Sequence, residues 1–581
     1  MTGAEYVAEF LARRGVQQVF LLTGGACAFM VDAVANHPKL GYLCFQHEQG
    51  AAMAADAVWR TSGKVGVAMA TSGPGATNLL TGIACAYFDS IPSLFITGQV
   101  NMRESAGWAG AKVRQFGFQE TRIVEMAAPI TKYAVLVRTA EELKRELAKA
   151  FDIALEGRGG PVLIDIPMDV QQLEVGDDFA PPAETDLAAV DHVPDDLLNF
   201  FDRAERPVLL FGAGIGLARA QDAACAWLKQ HDVPFVASWN ALTYFDHAMQ
   251  SYCGAIGVYG NRGANAVIQN ADAVLVLGSR LDNRQRSGNA RSFAPDARVH
   301  VVDIDAEELV KYKADGYGVT QFDLRELASL LSKLRAPTPA EAWCAHVSDL
   351  CARYRGRSVE HLTGEVRGLS PYAVVQELNR LMKRDAIVAC DTGAALCWVF
   401  QMFHRSAQTL FTAGGNSPMG YAVPAAIGAA ITNPGRQVFA FIGDGGFQLN
   451  IQELQTIAHY GLDVVIVVMN NGCYGMIRQF QDSYLGGRYH ATIEGYSAPD
   501  FSGIVAGYGL AYHRVERLQD LSPALLSKKG GVVIDVIVPS DTQITPKLEM
   551  GRPINDQYPY LDDEAFRRDN PYWNHPRYPR A

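Results

Sequence analysis

Short runs rich in Val, Ile, Leu and Phe recur along the chain, and most end in turns containing Gly, Ser or Asp. They fall at 18–22, 42–45, 65–70, 94–97 and 162–166, then at 207–211, 273–277 and 299–302, and finally at 386–389, 438–442, 464–469 and 532–538. Most are apolar throughout instead of alternating, as expected of parallel strands covered on both faces, and helix-like stretches separate them. The pattern predicts an α/β chain of three doubly wound parallel-sheet domains. Their expected extents are 1–175, 188–335 and 365–545, followed by a tail over 546–581. A Pro-rich acidic stretch, Ala180-Pro181-Pro182-Ala183-Glu184, reads as the first linker.

Composition narrows the classes. A chain of 581 residues, 49% hydrophobic, is too long for one core. A net charge of −11 argues against a general nucleic-acid binder, and no basic run suggests an anionic membrane. No apolar run reaches membrane-spanning length, and the N-terminus lacks the basic-then-apolar order of a signal peptide. The ten cysteines show no metal-ligand spacing and read as reduced, buried small hydrophobes of a cytoplasmic protein. The tail is rich in Pro, Tyr and charge. It reads either as a disordered end or as a lid or subunit seam built on Tyr558, Tyr560, Phe566, Tyr572 and Trp573.

The runs at 438–442 and 464–469 carry the chemistry. The first ends in Gly443-Asp444-Gly445-Gly446 and the second in Asn470-Asn471-Gly472, with helix-like sequence between them. Asp444 and Asn471 are twenty-seven positions apart, which accommodates one crossover helix and puts both side chains at the carboxyl ends of neighbouring parallel strands. A carboxylate and an amide oxygen there suit a hard divalent cation that also holds phosphate oxygens. Gly-Asp-Gly alone is a common strand-to-turn junction; its spacing to Asn-Asn makes it specific.

This arrangement resembles the motif of thiamine diphosphate enzymes. The resemblance makes Asp444 and Asn471 ligands of Mg²⁺ through their side chains and Cys473 a ligand through its carbonyl, with Gly445, Gly446 and Met476 beside the cofactor. The stretch 71–100, TSGPGATNLLTGIACAYFDSIPSLFITGQV, looks like the same region of acetolactate synthases, also called acetohydroxyacid synthases. In that light Glu48, by its residues alone a favourable first-turn acid of an Ala-rich helix, becomes the acid that hydrogen-bonds N1′ of the cofactor's aminopyrimidine. Gly24, Gly25, Ser72 and Asn78 then belong to the same cofactor site. Phe118 and Gln119 correspond to the Phe-Gln pair beside the family's substrate, and Met168 stands where family members commonly carry Lys.

In the middle domain, Gly212-Ala213-Gly214-Ile215-Gly216 follows a strand but lacks full dinucleotide spacing. Acetolactate synthases bind FAD in this domain, and Gly278-Ser279-Arg280-Leu281-Asp282-Asn283-Arg284 is similar to their Gly-Ala-Arg-Phe-Asp-Asp-Arg. The resemblance therefore implies a structural FAD contacted by Gly212, Gly214, Arg280 and Asp303, with Arg284 binding the acceptor carboxylate. Related enzymes keep this domain without a flavin.

In the last domain Ala394 and Ala395 replace the family's Gln-His-Gln segment, leaving only backbone contacts to diphosphate. Met419 matches the residue that packs beneath the cofactor. Phe480 replaces a Trp that helps select 2-ketobutyrate as acceptor, so the pocket should be wider. The resemblance implies a carboligase that decarboxylates pyruvate and passes the two-carbon unit to an acceptor carbonyl. These departures suggest a relative that does not make branched-chain amino-acid precursors. The tail looks more like that of acetolactate-synthase-like proteins acting on nucleotide-linked ketosugars, which implies a ketone or nucleotide ketosugar as acceptor. The alternatives are an ordinary acetolactate synthase, a 2-keto acid decarboxylase and a non-catalytic relative. The family builds its site between subunits, which implies a homodimer or homotetramer.

Overall fold

A computed structural model of the chain describes residues 1–110, 112–181, 193–357 and 368–576. The linker residues Pro182, Ala183 and Glu184, and the expected boundaries at 188 and 365, lie outside the described residues. Among the described residues the strands assemble into three six-stranded sheets, every pair parallel. The expected α/β architecture is the one observed.

The first sheet contains β1 (Gln18–Leu21), β2 (Gly41–Cys44), β3 (Gly66–Ala70), β4 (Ser93–Gln99), β5 (Tyr133–Leu136) and β6 (Pro161–Pro167) in the order β2-β1-β3-β4-β6-β5. The middle sheet contains β7 (Pro207–Phe211), β8 (Phe235–Ala237), β9 (Tyr252–Ala255), β10 (Ala273–Leu277), β11 (Arg298–Asp303) and β12 (Gly318–Gln321) in the order β12-β11-β10-β7-β8-β9. The last sheet contains β13 (Ile387–Cys390), β14 (Thr409–Phe411), β15 (Val438–Gly443), β16 (Val464–Asn470), β17 (Ala511–Val515) and β18 (Val532–Ile537) in the order β14-β13-β15-β16-β18-β17. The first and last sheets therefore share one topology.

That topology decides where ligands can sit. In each sheet the chain moves outward from one central strand and then returns to its other side, and a crevice opens where the direction reverses. The reversals lie between β1 and β3, between β7 and β10, and between β13 and β15. One strand beyond the last of these, Gly443 pairs with Met469 across β15 and β16, so the residues that follow, Asp444 and Asn471, emerge side by side.

The first and last units share one apolar core. Its seam is the helix Glu48–Ser62 against the helix Ala422–Thr432. A Cβ on Gly428 would lie 2.4 Å from the Ala54 carbonyl oxygen, and one on Gly82 would lie 2.3 Å from Ala52 Cβ. The Ala-rich run at 51–55 is thus explained by close backbone approach, which larger side chains would prevent.

The described part of the tail, residues 546–576, packs against the middle unit. Arg262 donates to the Pro559 carbonyl at 2.7 Å, and Asn270 donates to Asn570 Oδ1 at 3.2 Å. Arg353 and Tyr354 both engage the buried Asp569 carboxylate. Seven of the ten cysteines are buried and none is in a disulfide. No described helix is long and apolar enough to cross a membrane.

Candidate active site

Asp444 opens the helix Asp444–Leu449 directly after β15 and is 1% exposed. Burial pushes its carboxyl up to about 6. The Tyr496 hydroxyl donates to Oδ2 at 2.6 Å, which leaves Oδ1 for the crevice. There the Asn471 side-chain oxygen lies 3.1 Å from Asp444 Oδ1 and 2.8 Å from the Cys473 carbonyl oxygen. Three oxygens this close repel one another unless the amide turns to donate or a cation sits among them. One carboxylate, one amide and one carbonyl form a hard, all-oxygen donor set that fits Mg²⁺ and leaves positions for water and phosphate. Among the described residues no group of three or more His, Cys, Asp or Glu forms a rival metal site.

The neighbouring groups face the same point. A Cβ on Gly475 would lie 2.4 Å from Asn471 Nδ2 and 3.8 Å from Ala394 Cβ. A Cβ on Gly445 would meet the Tyr474 ring at 2.4 Å and Met419 Cε at 3.4 Å. Ala394, Met419, Gly445, Asn471 and Cys473 are therefore gathered at one sheet edge, with Met476 in the first turn of the helix Gly475–Tyr484. Gly393, at φ +80°, begins the helix Gly393–Met402, whose first N–H groups, Ala394 and Ala395 included, are oriented to receive an anion.

Asp391 and Tyr496 were not singled out by sequence. The buried Asp391 carboxylate accepts from the N–H groups of Gly420 at 3.1 Å and Ala422 at 3.0 Å, fixing the loop that carries Met419. A carboxylate at a strand end was visible in the sequence; its partners thirty residues on were not.

In the first unit Glu48 starts its helix and is 6% exposed. Its Oε2 accepts from Asn78 Nδ2 at 2.9 Å, and Oε1 lies 3.1 Å from the Cβ position of Gly75. Gly24 packs on Thr71, whose Oγ1 accepts from the Ala26 N–H at 3.1 Å, and Ser72 is buried alongside. Gly25 is exposed and meets nothing at its Cβ position. Glu453, from the last unit, accepts from the Gln46 N–H at 3.2 Å and supports the turn before Glu48. No hydrogen bond joins Glu48 to Asp444 among the described residues.

The substrate candidates are more scattered. Gln119, at φ +62°, turns against Gly73, whereas Phe118 is 86% exposed and points away. Glu120 braces this loop by accepting from the Ala106 and Phe116 N–H groups at 2.7 and 2.8 Å. Met168, half-buried, begins the short helix Met168–Gln172 after β6. Phe480 is 38% exposed with its ring 4.7 Å from Tyr484. Arg284, also exposed, lies in the helix Asn283–Arg286 beyond β10.

The middle unit gives a different result. A Cβ on Gly212 would lie 2.0 Å from the Gly278 carbonyl oxygen, and one on Gly214 would lie 2.8 Å from Gly278 Cα. Packing of the chain on itself accounts for both glycines. Arg280 sits 3.9 Å from Asp282, and Asp303 accepts from the Asp305 N–H at 3.0 Å. These four residues have partners within the chain and form no cradle that requires a flavin.

Comparison with known proteins agrees with this division into units. Family models for the N-terminal TPP binding domain, the central domain and the C-terminal TPP binding domain of thiamine pyrophosphate enzymes match residues 1–126, 195–330 and 391–536. The acetolactate synthase large subunit of Corynebacterium glutamicum is 34% identical over 98% of this chain and 93% of its own. That of Lactococcus lactis is 32% identical over 95% of each, and the isozyme 1 large subunit of Escherichia coli is 35% identical over 95% and 96%. With matches of this extent over all three units, the chain belongs to the acetolactate synthase family of thiamine pyrophosphate enzymes.

Proposed function

We propose that this thiamine pyrophosphate enzyme is a carboligase that releases carbon dioxide from pyruvate and joins the remaining two-carbon unit to an acceptor carbonyl. The convergence of the Asp444, Asn471 and Cys473 oxygens carries the reading, because that donor set suits the Mg²⁺ that holds a diphosphate. When bound, the cofactor supplies a sink for the electron pair left by the departing carboxylate.

The chain's own groups have separable tasks. Asp444, Asn471 and the Cys473 carbonyl hold the cation, and the N–H groups of Ala394 and Ala395 meet the diphosphate. Gly445 and Gly446 would allow close approach of the cofactor, and Met419 and Met476 would line its site. Glu48, held by Asn78, exchanges a proton with N1′ of the aminopyrimidine, while Gly24, Gly25 and Ser72 frame that ring. Gln119, Phe480, Met168 and Arg284 bound the substrate space; Phe118, 86% exposed, would join such a space only across a contact with another subunit.

Glu48 and Asp444 would hold opposite ends of one cofactor, yet each is bonded within its own unit. This supports a homo-oligomer whose sites lie between subunits. Exposed apolar side chains including Phe29, Trp108, Phe116, Phe118, Leu449 and Ile477 support the same reading. Ten cysteines without a disulfide support a cytoplasmic setting. Flavin in the middle unit rests on the GSRLDNR resemblance alone, and carboligation consumes no hydride.

Phe480, Met168, Ala394 and Ala395 favour an acceptor other than a simple 2-keto acid, such as a ketone or nucleotide ketosugar. The second reading is condensation of two pyruvates, favoured by identity over nearly the whole of several acetolactate synthases. Incubation with thiamine pyrophosphate, Mg²⁺ and pyruvate, with and without a panel of ketones and nucleotide ketosugars, separates them by product mass. A two-carbon adduct on one panel member establishes the first reading; acetolactate alone, unchanged by the panel, establishes the second.

A further inference from the structure

β14 is an edge strand, and side chains of the middle unit close its free edge. The Thr409 N–H donates toward β13, to the Ala386 carbonyl at 2.9 Å, so the N–H groups of Leu410 and Thr412 face the other way. Thr243 Oγ1 accepts from Leu410 at 3.0 Å. The Asn240 amide engages both polar groups of Thr412: its Oδ1 accepts from the N–H at 3.2 Å, and its Nδ2 donates to the carbonyl at 3.1 Å. The turn Trp239–Tyr244 thus takes the place of a neighbouring strand where the chain leaves β14 for the loop that carries Met419.

Asn240 also reaches Asp89, whose side chain is 8% exposed. Asp89 Oδ1 accepts from the Gly415 N–H at 2.8 Å, and Oδ2 accepts from Arg60 at 2.8 Å and from Asn240 at 3.4 Å. One carboxylate therefore joins the first unit, the middle unit and the Met419 loop. Arg60 also donates to the Thr412 carbonyl at 3.0 Å and to the buried Asp56, which accepts from the Tyr421 hydroxyl just past the loop. Next to Asp89, Ser90 accepts from Arg158 at 2.8 Å, and Arg158 pairs with Asp305 and Glu308 of the middle unit. Space at this junction is tight. A Cβ on Gly415 would lie 2.6 Å from Phe88 Cβ, and one on Gly414 would lie 3.3 Å from Asn240 Nδ2. Beyond it, Ser417, at φ +53°, is bonded to the Thr392 hydroxyl at 2.6 Å, and Asp391 holds the far end of the loop.

We propose that Asn240 and Asp89 are positioning residues for the cofactor: they set the loop 412–420, and through it Met419. The proposal rests on the placement of Met419 at the cofactor, and it gives the middle unit a task in a reaction to which it brings no chemistry. The residue types fit this task. An amide both donates and accepts, so it matches a peptide group on both sides; a carboxylate at position 240 could only accept, and would face Asp89 and the Thr412 carbonyl.

The test compares full-length wild type with Asn240→Ala, Asn240→Asp and Arg219→Met. Arg219 donates to the Gly63 carbonyl at 2.9 Å, so the last variant loosens the middle and first units away from the loop and serves as control. Amide hydrogen exchange without cofactor is followed in peptides covering 412–420 and 438–443. Asn240→Ala is expected to speed exchange of 412–420 about tenfold and Asn240→Asp further, with 438–443 unchanged and Arg219→Met like wild type. Calorimetric titration with thiamine pyrophosphate at saturating Mg²⁺ should show weakening in the same order, about tenfold for Asn240→Ala. Unchanged exchange of 412–420 overturns the proposal, as does faster exchange with unchanged cofactor affinity. An equal effect of Arg219→Met also overturns it, because the effect would then belong to contact between the units in general. If Asn240→Asp does not fold, Asn240→Ala against Arg219→Met decides. Wild type that binds the cofactor but forms no product from pyruvate with any acceptor sinks the carboligase reading, and exchange and affinity still decide the proposal. Wild type that binds no thiamine pyrophosphate sinks both.

Discussion

The Tyr496 hydroxyl donates a 2.6 Å hydrogen bond to Asp444 Oδ2, so that the other carboxylate oxygen, Oδ1, turns toward Asn471 and the Cys473 carbonyl. Tyr496 lies outside both strands of the motif, and its ring is 4.4 Å from that of Tyr474. A group that orients a ligand in this way tunes affinity without touching the ion. Tyr496→Phe is expected to weaken Mg²⁺-dependent retention of thiamine pyrophosphate by about tenfold. Titration of metal at fixed cofactor measures it, and an unchanged midpoint removes Tyr496 from the metal site.

Asp444→Ala should abolish metal-dependent cofactor retention altogether. The substitution removes a ligand and also a buried carboxyl, so the apo protein should remain folded. Dialysis followed by cofactor quantification gives the answer; full retention would exclude this sheet edge as the cation site.

Glu48→Gln keeps the size of the side chain and can still accept from Asn78 through its amide oxygen. Turnover is expected to fall by about 10²–10⁴ with little change in melting temperature. A loss of melting temperature in step with activity would assign Glu48 a structural role instead.

Asp165 is 2% exposed and accepts from Thr97 Oγ1 and Gln99 Nε2, both at 2.8 Å. Burial nevertheless pushes its carboxyl up to about 7. The native state then binds more protons than the unfolded chain between the ordinary carboxylate range and pH 7. Stability should therefore decline as pH rises through that window and level off above it. Denaturant titrations at several pH values should show this slope reduced in Asp165→Asn.

Phe480→Trp should narrow the acceptor range, since the larger ring occupies space beside Tyr484. Product profiles by mass spectrometry test it, and an identical profile would place Phe480 outside the pocket.

The sequence was legible where a local pattern has one physical meaning. Runs such as 438–442 and 464–469 are apolar on both faces, and only a covered parallel sheet accommodates that. The six strands not foreseen are β5, β8, β9, β12, β14 and β17. Five of these are edge strands and the sixth, β8, has three residues. An edge strand needs fewer apolar positions, so its run is too short or too mixed to stand out. Asp444 and Asn471 were found because each follows such a run at the spacing of one crossover, whereas Glu48 was found only through the family resemblance of 71–100.

What the chain alone determined was therefore the class of fold, the spacing of Asp444 and Asn471, and the family to which those residues point. Tertiary structure decided which of the remaining candidates share a place. It brought Tyr496 to Asp444 and Asp391 to the Met419 loop, turned Phe118 outward, and filled the space around Gly212 and Gly214 with the chain's own backbone. It also left the buried Lys547 Nζ without a hydrogen-bond partner among the described residues. The physical reason is range: strand and turn preferences act over a few neighbouring residues, whereas burial and hydrogen-bond pairing depend on segments that meet only when the sheets pack.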